Sequence, residues 1–213
     1  MVVASDYVAM SGLARAIRLS KARFPTLRID LLPLTMASTK LVALGEVDLL
    51  FAGQVLDVEL PPNRMVFEDR FTCVVCKECG PGGEEMTADQ YLSGQHIVLR
   101  YFEHQMTFED EEALRRQGVI RERQISVWSH SLIPPLLCGT DMIATVAERA
   151  ASDIAGRWPL RIVPFPFDQE PVRVFAYWHN SRNEDHILSE FLGMFHEVLN
   201  GDTASGNGLR SDA

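Results

Sequence analysis

The chain has 213 residues, 46% of them hydrophobic, enough for a real core in one or two domains. Lys and Arg number 20 against 29 Asp and Glu, giving a net charge of -9 and a pI near 5.1, which excludes the basic footprint of a chain that grips nucleic-acid phosphates by itself. The first ten residues, MVVASDYVAM, have neither a charged leader nor a long apolar run. No segment approaches the roughly 20 apolar residues that span a bilayer, so a soluble, cytoplasmic protein without membrane contact is expected.

In chain order, VVAS is a short apolar strand, and Ser5 or Asp6 can cap a helix that begins near Tyr7. Met10, Leu13, Ile17 and Phe24 follow helical spacing, with Arg15, Arg18, Lys21 and Arg23 for the other side or the last turn; Pro25 ends the element. RIDLLPL, residues 28–34, is the next strand. Ser38 and Thr39 open a second helix that Gly45 closes, and residues 48–52 form a third strand. Strand, helix, strand, helix, strand with near-continuous apolar strands argues for a parallel sheet covered on both faces.

A Pro-containing loop, residues 53–64, leads to MVFEDRFTCVVCK, strand material broken near Glu68 and Asp69. Three of the four cysteines lie here, Cys73, Cys76 and Cys79, with Cys138 further on. Their C-x-x-C-x-x-C spacing suggests a metal or redox site, but the period of two along FTCVVC sends Cys73 and Cys76 to opposite faces, poor geometry for one metal. Structural thiols are the plainer reading. Gly80-Pro-Gly-Gly followed by Glu84 and Glu85 superficially resembles a phosphate loop; the carboxylates would repel phosphate and no Gly-Lys-Ser/Thr follows, so it reads as a turn or hinge.

Beyond it a second α/β unit is expected: a helix at 87–92, the strand HIVLRY, a helix at 108–117 ended by Gly118, the strand QISVW, a helix around 147–154 and the strand LRIVPFPF; VRVFAYW is a further strand after it. Within it, residues 127–146 hold a strand end, the polar turn Ser129-His130-Ser131, a short apolar segment, a Gly-Thr turn and another strand. The three turn residues suit a helix start, where backbone N–H groups are unpaired and an anion can be held. A final helix spans 185–199, and residues 200–213 have almost nothing to bury and read as a disordered tail.

SDYV opening a helix, ARFPTLRIDLLPL, LVALGEVDLLFAG with its Gly-Glu-Val-Asp turn, EDRFTCVVCKE, SLIPPLLCGTDMIATV and VRVFAYWHNSRNEDH together resemble the effector-binding domain of LysR-type transcriptional regulators, and within that family the NodD-like group, over residues 1–199. The resemblance implies an α/β fold of two Rossmann-like lobes joined by two crossover strands, as in type 2 periplasmic binding proteins. Lobe I would hold residues 1–72 and 170–199, lobe II residues 73–169. It implies a small effector, aromatic or flavonoid-like, in the inter-lobe cleft, where helix starts meet the carboxyl ends of strands. Ser5, Asp6, Ser38, Thr39, Arg100, Tyr101, Phe102, Ser129, His130 and Ser131 occupy such exits. The serines and Thr39 would hydrogen-bond, Arg100 would attract an acidic group, and Tyr101 and Phe102 would stack. Asp6 would disfavour an anionic ligand. His130 reads as a cap or packed ring.

The resemblance further implies binding without catalysis or cofactor, and a homodimer or tetramer paired through helices near 13–24 and 147–154. DNA would be reached only through an N-terminal winged helix-turn-helix that these residues do not include. The glycine turn departs from the family in having Asp141-Met142 where a second glycine is frequent. A solute-binding protein, a stand-alone binder or decoy, an enzyme on the same fold, and a thiol or metal sensor remain as other readings; no Gly-x-Ser-x-Gly, Walker loop or His-Glu-x-x-His supports the enzyme.

Overall fold

The computed structural model describes residues 1–53, 64–100 and 109–206. Two compact units divide the chain: Met1–Phe67 with Val174–Ala213, and Glu68–Arg173. The chain therefore crosses between units twice.

Unit 1 is a five-stranded sheet in the order β2-β1-β3-β10-β4, formed by β1 (Val2–Ala4), β2 (Leu31–Pro33), β3 (Leu49–Gly53), β4 (Arg64–Asp69) and β10 (Val172–Tyr177). β1 runs parallel to β2 and β3, and β10 returns antiparallel to β3. The central strand β3 is buried on both faces, as its unbroken apolar run demands. Leu50 and Ala52 pack with Val3, Val42 and Tyr177, while Phe51 turns the other way to meet Phe195 edge-on at 5.3 Å. β2 differs from the expected covered strand. It lies at the sheet edge, where a proline is tolerated, and leaves Leu31 and Leu32 exposed.

The first helical segment is also interrupted. α1 (Asp6–Val8) and α2 (Ala14–Arg23) are joined through residues 9–13, and Gly12 there has φ 122°. A Cβ at Gly12 would stand 3.0 Å from Val198 Cγ1, so glycine provides both the left-handed turn and the close approach of this segment to α8 (His186–Gly206). The buried stripe that results is Leu13, Ala16 and Ser20, with Met10 and Ile17 only half-buried. α3 (Ser38–Ala43) ends where Gly45 N–H meets the Val42 carbonyl at 2.9 Å. α8 continues past Leu199, where sequence polarity suggested an end, to Gly206; residues 207–213 lie outside the described part.

Unit 2 is a second five-stranded sheet, order β7-β6-β8-β5-β9, from β5 (Phe71–Cys76), β6 (His96–Leu99), β7 (Arg123–Val127), β8 (Ile143–Ala147) and β9 (Leu160–Pro164). β6, β7 and β8 are parallel; β5 runs against both β8 and β9. Cys73 and Val75 face a cluster with Met86, Tyr91, Leu114, Ile143, Val163 and Phe165. α7 (Glu148–Arg157) packs on the β5–β9 side of the sheet through Ala150, Ala151 and Ile154. α4 (Ala88–Ser93) begins with a complete capping box, Thr87 and Gln90 bonding each other's backbone, and α5 (Glu109–Arg116) and α6 (Ile133–Leu137) complete the unit.

A buried polar cluster lies inside this apolar packing. Arg121 donates to Tyr91 Oη at 2.7 Å and Thr145 Oγ1 at 3.2 Å, and His96 Nε2 bonds the Tyr91 carbonyl at 2.7 Å. Nothing in the sequence singles out Arg121.

Candidate functional site

The parallel strands of unit 2 deliver three exits to one edge of their sheet, because parallel strands end on the same side. Arg100 follows β6, and its N–H donates to the Val127 carbonyl at 2.6 Å, tying the first exit to the second. Trp128 and residues 129–131 follow β7. Ala147 ends β8 and starts α7.

At the second exit the turn takes the form the polar residues suggest. Ser129 caps a short 3-10 turn, His130–Leu132, which runs into α6; the Ser131 N–H donates to Ser129 Oγ at 3.2 Å, and the two hydroxyls bond at 2.8 Å. Ser131 is exposed, Ser129 buried, and His130 packed at 4% exposure. A ring so enclosed serves the local packing. Sequence reasoning passed over Trp128, which is 72% exposed and lies directly between β7 and Ser129. The alternation that buries Val127 turns Trp128 outward, so the signal was present in the strand pattern.

The third exit was missed altogether. Ala147 occupies the cap position of α7 and has no side chain to offer; the carboxylate comes from Asp69, which accepts the Arg149 N–H at 3.2 Å and the Arg70 N–H at 2.8 Å. Asp69 is buried at 8% exposure.

In unit 1, β1 and β2 also end at a common edge. Ser5 caps α1 by accepting the Val8 N–H at 3.3 Å, and Asp6 sits half-buried in the first turn. Ser38 is not the helix cap that its position suggests: Ala37 holds that place, and the Ser38 hydroxyl folds back to accept the Thr35 N–H at 2.8 Å and to bond Thr35 Oγ1 at 3.0 Å. Thr39 lies half-buried in the first turn of α3. Tyr101 and Phe102 fall outside the described residues, as does most of the loop expected at 53–64. Thus Arg100 and Ser129, His130 and Ser131 share one edge in unit 2, and Ser5, Asp6, Ser38 and Thr39 belong to unit 1.

The Gly80-Pro-Gly-Gly segment is a turn built around a cation. Arg161 on β9 donates to the carbonyls of Gly80, Pro81, Gly82 and Gly83 at 2.6–3.1 Å. Carbonyls converging on a guanidinium are the reverse of a phosphate cradle, in which N–H groups converge. Cys73 and Cys76 lie on opposite faces of β5, as the alternation requires, and among the described residues no group of three or more His, Cys, Asp or Glu side chains is arranged to hold a metal.

Known proteins extend this geometry. The chain is 29% identical over 184 residues to Nodulation protein D 2 of Rhizobium tropici, a match spanning 86% of this chain and 58% of that protein. It is 34% identical over 142 residues to Nodulation protein D 3 of Rhizobium leguminosarum bv. phaseoli, 67% of this chain and 47% of that protein. The chain thus matches about half the length of these curated relatives. In fold it is similar to the regulatory domain of MexT, a transcriptional activator in Pseudomonas aeruginosa, with TM-score 0.77 and 22% identity over 92% of this chain and 98% of that one. CrgA, a LysR-type transcriptional regulator from Neisseria meningitidis, has TM-score 0.72 and 17% identity, covering 93% of this chain and 67% of that one. A model of the LysR substrate binding domain matches residues 1–200, and the chain belongs to that family.

Proposed function

We propose that the chain is the effector-sensing part of a LysR-type regulator of the nodulation D group, and that it binds a small hydroxylated aromatic compound of flavonoid type. The observation that carries this reading is the shared edge in unit 2, which gathers a cation, hydroxyls and an exposed indole: Arg100, Ser129, Ser131 and Trp128. An aromatic face and a few directed donors are what a flat phenol requires. Ser5, Asp6, Ser38 and Thr39, at the carboxyl edge of the other sheet, are the further residues offered to the effector. Ser5 and Ser38 hold local backbone there, so they position that edge more than they contact ligand.

In this proposal the effector acts by binding, without chemistry. Its influence on transcription is limited to the difference in its affinity for two conformational states of the protein. DNA is engaged by a further domain of the longer protein. The exposed apolar residues Leu19, Leu31 and Leu32 of unit 1 support pairing with a second copy.

The test is calorimetric titration with a panel of hydroxylated flavones and simple phenolic acids. At least one flavone is expected to bind and quench Trp128 fluorescence, and Ser131→Ala, an exposed change, should weaken it about five- to tenfold for one lost hydrogen bond. A panel without any binder, or binding indifferent to both Ser131→Ala and Trp128→Ala, overturns the reading.

A further inference from the structure

The thiols of unit 2 are arranged differently from their spacing in sequence. Cys73 is fully buried in the apolar cluster on one face of β5, away from the other thiols. Cys76, the last residue of β5, lies on the other face, and Cys79 follows in the turn at the strand's end. The turn closes through the Gly80 N–H, which donates to the Cys76 carbonyl at 3.0 Å. A Cβ at Gly80 would stand 2.6 Å from that carbonyl oxygen, so only glycine permits so tight a return. Arg161 then fixes the next four carbonyls to β9. The result is a rigid seat with two sulfurs on one side.

Those sulfurs share one partner segment. The Cys79 thiol donates to the Thr140 carbonyl at 3.1 Å, one residue from the amide that bonds Cys76, so both sulfurs are held against the same Gly139–Thr140 turn. The Gly139 N–H donates to Cys76 Sγ at 3.4 Å. Donors around Cys76, the Gly139 amide first, then the Cys79 thiol and the backbone of the turn, lower its pKa from 9.0 to about 7. The same pairing, with burial, raises Cys79 above the ordinary thiol value. Cys138, beside Gly139, is also raised, by burial and then by the charge on Cys76. Cys76 is thus the more acidic of the two thiols, with the exposed Cys79 beside it on the same turn.

We propose that Cys76 and Cys79 are a dithiol site that a hydroperoxide oxidises to an intramolecular disulfide. The ionised Cys76 sulfur takes the Cys79 proton, leaving a thiolate on the exposed member. That thiolate attacks the peroxide; an S–O bond forms, the O–O bond breaks, and the departing alkoxide or hydroxide leaves as alcohol or water. Cys76 then attacks the Cys79 sulfur, an S–S bond forms, and hydroxide leaves as water with the remaining thiol proton. Two thiols and one hydroperoxide give one disulfide, one alcohol or water, and one further water. The peroxide gains the two electrons that the thiols lose. This site is independent of effector binding at the strand exits, and it survives if that reading fails.

The experiment treats the reduced chain with hydrogen peroxide at neutral pH, blocks with iodoacetamide and maps the peptides by mass. Cys76 and Cys79 are expected to be joined, lighter by two hydrogens and recoverable with dithiothreitol, and Cys73 and Cys138 to be reduced. Cys79→Ser, at an exposed position that keeps the fold, is expected to slow peroxide consumption on the order of tenfold and to move the half-point of Cys76 alkylation upward from about 7. Full alkylation of both thiols after peroxide, a Cys76–Cys138 linkage, or unchanged peroxide consumption in Cys79→Ser would each overturn the proposal.

Discussion

The helix starts at α1 and α7 solve one problem in two ways. Both follow the carboxyl end of a parallel strand and leave N–H groups to be satisfied. At α1 the acceptor is Ser5, three residues from the Val8 N–H it takes. At α7 the cap position is Ala147, and the acceptor is Asp69, brought from the strand pair that links the units. The first arrangement is local in sequence, its donor and acceptor lying in one turn. The second exists only once β5 has paired with β8, so α7 is stabilised by tertiary structure.

Removing the distant cap has the larger expected effect. Asp69→Ala deletes a buried carboxylate that accepts two N–H groups, and should cost about 2–3 kcal/mol in chemical denaturation. Hydrogen exchange separates the two cases: the Arg149 amide should lose protection while the Val8 amide keeps it. Equal loss at both would mean that the cap is not what Asp69 provides. Ser5→Ala should cost about 1 kcal/mol, and Ser5→Asn much less.

A third cap adds a pH signature. Asp185 accepts the N–H groups of Ile187 and Leu188 at 3.0 and 3.2 Å at the start of α8. The Leu188 N–H, then Arg182 and the Ile187 N–H, hold its carboxyl below the usual 3.8 against a smaller opposing effect of burial. A depressed folded value means that this stabilisation is complete above the unfolded pKa and lost as pH falls through the folded one. Stability of wild type and Asp185→Asn should therefore differ at pH 6 by about 0.5–1 kcal/mol and converge as pH falls through the lowered folded value. A difference that persists in acid would assign the effect to shape instead of charge.

The same contrast explains what could be read from the sequence. The succession of strands and helices along the chain, the Ser129 turn and the two faces of FTCVVC were legible because period and capping are local properties. So was membership of the LysR substrate binding domain family, since its motifs are short runs in a fixed order. Asp69, Arg121 and the guanidinium within the Gly80-Pro-Gly-Gly turn were not legible. Each acts on groups tens of residues away, and a lone Asp or Arg carries no mark of its eventual partner. Ser38 shows the opposite failure: its position near a helix start suggested a cap, but the hydroxyl found a nearer acceptor role at Thr35. The Cys76–Cys79 pair lies between these cases, for the spacing was plain but the contribution of Gly139 was not.

The double crossing between units also governs the order in which the protein is made. Unit 2 is one continuous stretch, so all its strands are available once residue 173 has left the ribosome. Unit 1 is not: β10 lies between β3 and β4 in its sheet, and α8 covers Phe51. Until β10 and α8 emerge, the edge of β3 is open and Phe51 lacks its cover. Such an edge is a template for mispairing. The N-terminal third of this chain is thus the part that waits longest for its partners, and the nascent chain is most in need of chaperone protection there.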